Sequence, residues 1–330
     1  MQFGQGKPSI GVVFDADLGN SIDDALALAL LYGLQGKSES RVVSVTVSKS
    51  SLKAAEFADT LVRFYTGEPG PFGGVQPIGL ALTGKMPEDT PMMTAVLAKT
   101  TPEGKPAYVR NIQKLNDTAD PVATIRNALS AQYDQNALVV LAGPATNLAA
   151  VLDLPGAKEL IAKKVKHLCI SIGSYPTGPL DAAVQADVPA AKKLLAQWPT
   201  PIFAAGAELG EALPFPAASL DKEFAWTPAH PLVDAYKAAR AMPYDAPSAA
   251  LAAALQSVRA QQNYFKLSEP GTIQVGDDGS TRFAPSADGK HRYLILDPAQ
   301  KDKVLQAYTE LASTKQVPRP TRFRPQQKKQ

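Results

Sequence analysis

The sequence predicts an α/β fold: a doubly wound, mostly parallel central sheet flanked by helices, with a small C-terminal β-hairpin. Three observations lead there. Short apolar runs suited to buried strands alternate with stretches of helical spacing over most of the chain. Gly, Pro, Asn and Asp punctuate the run ends. Near the C-terminus, two β-rich runs flank Asp277-Asp278-Gly279, the signal of a hairpin.

In chain order, Ile10 to Phe14 reads as a short buried strand, and Asp23 to Leu31 as a helix that is apolar nearly all round. Arg41 to Val47 is a Val-rich strand. Leu52 to Tyr65 has helical spacing through Ala55, Phe57, Ala58, Leu61 and Phe64. Residues 67–100, rich in Gly and Pro and carrying Met92 and Met93, read as a long connection that either borders a pocket or runs over the surface. Pro121 to Leu129 reads as helix and Ala137 to Leu141 as buried strand. Gly143-Pro144-Ala145-Thr146-Asn147 then turns into a helix from Leu148 to Leu152. Val165 to Ile172 is a strand followed by the loop Gly173 to Leu180. Asp187 is placed to cap a helix running through Leu195, and Ile202 to Ala205 is a short strand. A long Ala-rich helix covers about residues 247–260. The hairpin is Thr272 to Val275 with Thr281 to Phe283, Tyr293 to Leu296 adds a strand, and a last helix spans Ala299 to Leu311.

With 330 residues and 45% hydrophobic content, the chain can bury a sizeable core. Residues 1–317 are expected to form a single domain, with 264–297 as a hairpin appendage. Residues 318–330, with Arg319, Arg322, Arg324, Lys328 and Lys329 among Pro and Gln, read as a loosely ordered tail rather than a nucleic-acid arm. The net charge of +3 is too weak to imply a nucleic-acid partner. No run reaches the roughly 18 apolar residues of a membrane span. Met1 to Pro8 has no apolar segment of the signal-peptide kind, which leaves the compartment open, cytoplasmic by default. The single Cys169 lies in an apolar run and excludes an intrachain disulfide. His167, His230 and His291 show no metal-ligand spacing, and no glycine-rich phosphate loop appears.

The chemistry concentrates in Asp15-Ala16-Asp17-Leu18-Gly19-Asn20-Ser21-Ile22-Asp23-Asp24, four carboxylates within ten residues. They fall where a strand ends and a helix begins, the place where open α/β sheets bind ligands. Asp23 and Asp24 would be favourable at a helix N-terminus for structural reasons alone. Asp15 and Asp17, at the strand end, gain little from that. Four crowded carboxylates in low dielectric call for compensation, and an all-oxygen set suits a hard cation such as Ca²⁺ or Mg²⁺. An EF-hand loop is excluded, since its twelfth position counted from Asp15 is Leu26. A phosphotransferase of the haloacid-dehalogenase type also opens with Asp-x-Asp, but here Leu18-Gly19 follows and the acidic pair comes at once.

Asp15-x-Asp17-x-Gly19-Asn20-x-x-Asp23-Asp24 resembles the signature of the inosine-uridine-preferring nucleoside hydrolase family, in a variant branch with two residues inserted before the Asp pair. Further likenesses follow in order. Gly143-Pro144-Ala145-Thr146-Asn147 is similar to the family's Gly-Pro-x-Thr-Asn turn. Asp187-Val188-Pro189-Ala190-Ala191 resembles the opening of a later family helix. Pro243-Tyr244-Asp245 falls where the family places its last metal aspartate, and Gly206-x-Glu208-x-Gly210 and Asn263-Tyr264-Phe265 resemble the variant branch.

The resemblance implies a nucleoside-hydrolase-like fold and Ca²⁺-dependent hydrolysis of the N-glycosidic bond of a ribonucleoside or related ribosyl compound. It implies a metal held by Asp17, Asp24, Asp245 and the Ala142 carbonyl. Asp17 would also act as general base, Asp23 would accept from ribose hydroxyls, and Asp15 would shape the metal's surroundings. The implied partner is a small nucleoside or ribosyl molecule, without nucleic acid or membrane and with room for a homo-oligomer.

Three departures stand out. Asp181-Ala182-Ala183 replaces the family's Glu-x-Asn for the ribose, so Asp181 would bind the sugar with shorter reach and Ala183 not at all. Ser48-Lys49-Ser50 stands where the family has an Asn. Tyr244 replaces a His before the metal aspartate, and would either contact the leaving base or merely pack. These departures keep a non-catalytic sugar- or nucleoside-binding protein open as the alternative, with the phosphotransferase behind it.

Overall fold

The structure, a computed structural model, describes residues 9–67, 76–83, 86 and 88–315. The N-terminal segment Met1 to Pro8, part of the 67–100 connection and the basic tail 318–330 lie outside the described residues.

Among the described residues, ten strands form one sheet: β1 (Ile10–Ala16), β2 (Ser40–Val47), β3 (Ile78–Leu80), β4 (Ala137–Ala142), β5 (Val165–Ile170), β6 (Ile202–Ala204), β7 (Phe265–Leu267), β8 (Gly271–Val275), β9 (Thr281–Pro285) and β10 (His291–Leu296). The order is β3-β2-β1-β4-β5-β6-β10-β8-β9, with β7 pairing β10. From β3 through β6 to β10 every pairing is parallel; β8, β9 and β7 are antiparallel.

Strand alternation divides the interior in two. Val12, Phe14 and Ala16 of β1 face one apolar cluster while Val13 faces the other, and in β4 Leu138 and Val140 oppose Val139 and Leu141. Both faces are thus covered, as a parallel sheet requires. Helices Ile22–Gly36, Ala249–Arg259 and Lys301–Ala312 close the first face, and Pro121–Ser130, Thr146–Val151 and Val188–Gln197 the second. Gly33 permits the approach of the first and last helices: a Cβ there would stand 2.1 Å from the Leu311 carbonyl oxygen.

The fold departs from the sequence reading in three places. The 67–100 stretch is not one long connection but contains β3 and the helix Pro91–Ala98. Pro91 starts that helix, and Met92 and Met93 are buried in it, so its apolar face was hidden in a composition that reads as loop. The helices Ala157–Lys164 and Pro231–Ala239 were not expected either. Finally, the strand that follows the hairpin enters the central sheet. β10 lies in the main sheet, parallel to β6, and carries β8 and β9 outward from it. Cys169 is buried and free, and no described helix is long and apolar enough to cross a membrane.

Candidate active site

The register of β1 puts the acidic motif at the C-terminal edge of the sheet. Ala16 pairs with Val47 of β2 and with Ala142 of β4, so Asp17 emerges between those two strand ends. Its backbone N–H donates to the Ala142 carbonyl at 3.2 Å. Gly143 follows with a φ of 155°, and a Cβ on it would lie 2.6 Å from both the nitrogen and Oδ1 of Asp17. Only glycine leaves Asp17 this position.

All four carboxylates are buried. Asp15 Oδ1 accepts from the Thr46 hydroxyl at 2.6 Å and from Asn147 Nδ2 at 2.8 Å, which ties β1 to β2 and to the helix after β4. Its Oδ2 finds no hydrogen-bond partner among the described residues, and neither does Asp24 Oδ2. Asp17 Oδ2 accepts from Asn20 Nδ2 at 2.9 Å. Ser21 caps the helix Ile22–Gly36 by accepting from the Asp23 N–H at 3.1 Å, and so fixes the direction of the Asp pair.

Burial dominates the electrostatics. It pushes Asp15 up to about 7, against hydrogen bonds from Asn147 and Thr46. It pushes Asp17 up to about 6, against the Asn20 amide and the Lys49 charge. Asp24 is raised well above the carboxylate range by burial and then by the neighbouring charges of Asp17 and Asp23, and its carboxyl touches that of Asp17. A buried acidic pair of this kind, with unpaired oxygens beside it, is the donor chemistry of a hard cation.

Two other positions do not join this group. Asp245 is exposed, and its Oδ1 accepts from the Ala217 N–H at 2.8 Å. Among the described residues no three His, Cys, Asp or Glu side chains gather into a metal-holding group. The Tyr244 hydroxyl donates to the Tyr236 carbonyl at 2.8 Å, and the two rings stack with centroids 4.7 Å apart. The Tyr236 hydroxyl returns a bond to the Tyr244 carbonyl. Tyr244 is held as a packing partner.

Comparison with known proteins gives this arrangement its place. Residues 12–304 match the family model described as inosine-uridine preferring nucleoside hydrolase. The chain belongs to that family. Its members are N-glycosidases acting on nucleosides, and the phosphotransferase alternative falls with this match. No curated protein matches the chain. Among solved structures, an inosine-uridine preferring nucleoside hydrolase from Bacillus anthracis is similar at 15% identity, with a TM-score of 0.66 over 92% of this chain and 99% of that one. A purine-preferring ribonucleoside hydrolase from Gardnerella vaginalis is similar at 15% identity, with a TM-score of 0.65 over 92% and 98%. The type III effector protein XopQ, in complex with adenosine diphosphate ribose, is similar at 13% identity, with a TM-score of 0.63 over 93% and 95%.

In this nucleoside hydrolase fold the remaining predicted residues have local duties. Asp23 accepts from the N–H groups of Ala250 at 2.7 Å and Leu251 at 3.1 Å, capping a helix whose own N-cap, Ser248, turns its hydroxyl to the Leu213 carbonyl. Asp181 caps the short helix Ala182–Ala186 by accepting from Val184 N–H at 3.0 Å. Ala183 packs against the second apolar cluster. Asp187 caps its helix as expected and accepts from Thr146 of the Gly-Pro-x-Thr-Asn turn at 2.7 Å. The loop before Asp181 is held by the hairpin: Thr281 Oγ1 accepts from Ser174 N–H at 3.0 Å, and the Phe283 N–H donates to the Pro176 carbonyl at 2.9 Å.

Lys49 was missed as part of the site. It comes two residues after β2, as Asp17 comes one after β1, and it is buried with its ammonium 2.6 Å from the Met86 carbonyl and 3.4 Å from Asn20 Oδ1. Its position two residues beyond Val47, at the same sheet edge, was the available signal.

Proposed function

We propose that the protein is a Ca²⁺-dependent hydrolase of the N-glycosidic bond of a ribonucleoside or related ribosyl compound, with Asp17 as general base. The observation that carries this reading is the burial of Asp17 and Asp24 together at the end of β1, with the Asp17 N–H on the Ala142 carbonyl and an Asp24 oxygen left without a hydrogen-bond partner among the described residues. Asp17, Asp24 and Ala142 would hold the ion. Asp245 would join them through Oδ2, since its Oδ1 accepts from the Ala217 N–H. When bound, the ion would lower the pKa of a water and hold ribose hydroxyls.

The chain's own residues do the rest. Asp17, raised toward neutrality by burial, is suited to take the proton of the attacking water as that water bonds to the anomeric carbon and the bond to the base breaks. The acidic cluster supplies anionic surroundings for the oxocarbenium-like sugar that forms on the way. The leaving base receives no evident acid, because Tyr244 is engaged with Tyr236 and its hydroxyl is pushed up to about 12 by burial.

A panel of nucleosides with reducing-sugar release as readout, run with CaCl₂ and with EGTA, tests the proposal. Turnover that EGTA abolishes is the expected result. Turnover indifferent to EGTA would remove the metal and keep the hydrolase.

One set of observations favours a second reading, a binding protein on the same fold. Both Asp23 and Asp181 spend their carboxylates on backbone N–H groups, and Ala183 offers the ribose nothing. Calorimetric binding of a nucleoside without turnover would decide for it.

A further inference from the structure

We propose that Lys49 is a resident counter-cation of the carboxylate pocket: it holds Asp17 through Asn20 and competes with a divalent cation for that carboxylate. The inference rests on the metal reading of Asp17 and Asp24 above.

The geometry is a three-residue chain. Ala16 pairs with Val47, and the Ser48 N–H donates to the Ala16 carbonyl at 3.0 Å, so the residue after Ser48 leaves the sheet beside Asp17. The Lys49 ammonium, on a buried side chain, donates to Asn20 Oδ1 at 3.4 Å, and the same amide donates from Nδ2 to Asp17 Oδ2 at 2.9 Å. The amide orients the Asp17 carboxylate, and because its Nδ2 also donates to Met86 Sδ at 2.9 Å its facing does not depend on Lys49 alone. The ammonium also donates to the Met86 carbonyl at 2.6 Å.

The charge argument runs in parallel. An ammonium out of water needs a negative neighbour, and Asp17 is the first of those acting on Lys49, ahead of the exposed Glu88 and Asp89. A divalent cation on Asp17 and Asp24 would meet that ammonium across one amide group. Like charges so placed repel, so a chain carrying Lys49 takes the metal more weakly than one without it.

The test is calorimetric titration of the full chain with CaCl₂, which needs no substrate. Lys49→Met should bind Ca²⁺ about ten-fold more tightly than wild type, the effect of one unit charge a few ångströms away at intermediate dielectric. Lys49→Arg, which keeps the charge, should remain close to wild type. Asn20→Ala should bind more weakly, because Asp17 loses its orienting amide. Opposite signs at Lys49 and Asn20 separate this role from a structural one, under which both changes would weaken binding. If Lys49→Met does not fold, Lys49→Gln carries the same expectation. Binding by wild type that is unchanged or weakened in folded Lys49→Met overturns this inference alone. No binding by wild type or by either Lys49 variant overturns it together with the metal reading. Binding by Lys49→Met and not by wild type supports it in its strongest form.

Discussion

Asp23 and Ala250, 227 residues apart in sequence, are joined by a 2.7 Å hydrogen bond from the Ala250 N–H to the Asp23 carboxylate. An acid that motif logic assigns to the ligand thus holds the start of a core helix. Asp23→Ala would leave the Ala250 and Leu251 N–H groups without this partner, and should cost about 1–3 kcal/mol in denaturant unfolding. Asp23→Asn, which keeps one acceptor, should cost less. An unfolding curve unchanged by Asp23→Ala would return Asp23 to the ligand alone.

Asp17→Asn preserves size and much of the coordination but cannot take a proton from water. Turnover of whichever nucleoside is hydrolysed should fall by about two to four orders of magnitude. Calorimetry with CaCl₂ must accompany the kinetics. Full activity with metal still bound would exclude Asp17 as the base.

The buried acids set a pH dependence with a definite sign. Asp15 and Asp23 rise from an ordinary 3.8 to about 7 in the fold, so each contributes stability that is full below its unfolded value and lost as pH climbs through 7. Metal-free protein should therefore weaken between mildly acidic and neutral pH through these groups. Added Ca²⁺, which needs the acids ionised, should raise the melting temperature more at about pH 8 than at about pH 5. Melting curves in EGTA and in CaCl₂ at both pH values check this. Equal Ca²⁺ shifts at the two values would contradict it.

His230 acts in the opposite direction. Burial among Phe64, Tyr65, Phe224 and Trp226 pushes it down from 6.5 to about 3, while its Nδ1 accepts from the Leu232 N–H. Its contribution is full above the unfolded value and lost as pH falls from 6.5 toward 3. His230→Asn keeps a cap but removes the titration, so its stability should decline less steeply over that acid range than that of wild type. Parallel declines in acid titrations followed by circular dichroism would show that His230 is not responsible.

Gly143→Ala forces a Cβ to within 2.6 Å of Asp17 at a φ of 155°. The displaced carboxylate should lower Ca²⁺ affinity, and backbone strain should cost about 1–3 kcal/mol. Calorimetry and unfolding on the same preparation read both effects. A variant with intact Ca²⁺ binding would mean that the pocket yields without losing its geometry.

Much of the fold was legible because its signals are local. β4 is a continuous apolar run, β1, β2 and β5 are rich in buried apolar residues, and Asp187 announced a helix that it does cap. The helix Pro91–Ala98 was not legible, since eight residues in a Gly- and Pro-rich stretch give too short a period to read. The placement of β10 beside β6 was not legible either, because pairing across the sheet leaves no mark on the spacing within either strand. In the site, Asp15, Asp17 and Asp24 could be named from the motif alone. That Asp23, Asp181 and Asp245 accept from the backbone could not, because Ala250, Val184 and Ala217 offer N–H groups that no side-chain pattern records.

The insertion of β10 has a consequence for how the chain is made. On the ribosome, β1 to β6 emerge first, and β6 then has β5 on one side and nothing on the other until His291–Leu296 is delivered. Until that point the nascent protein presents an open sheet edge, and the helix that Asp23 caps is not yet followed by the strand that seals the sheet. Chains released early, lacking the last forty residues, should therefore accumulate as aggregates and not as partly active enzyme, and the burden of shielding that edge during synthesis falls on chaperones.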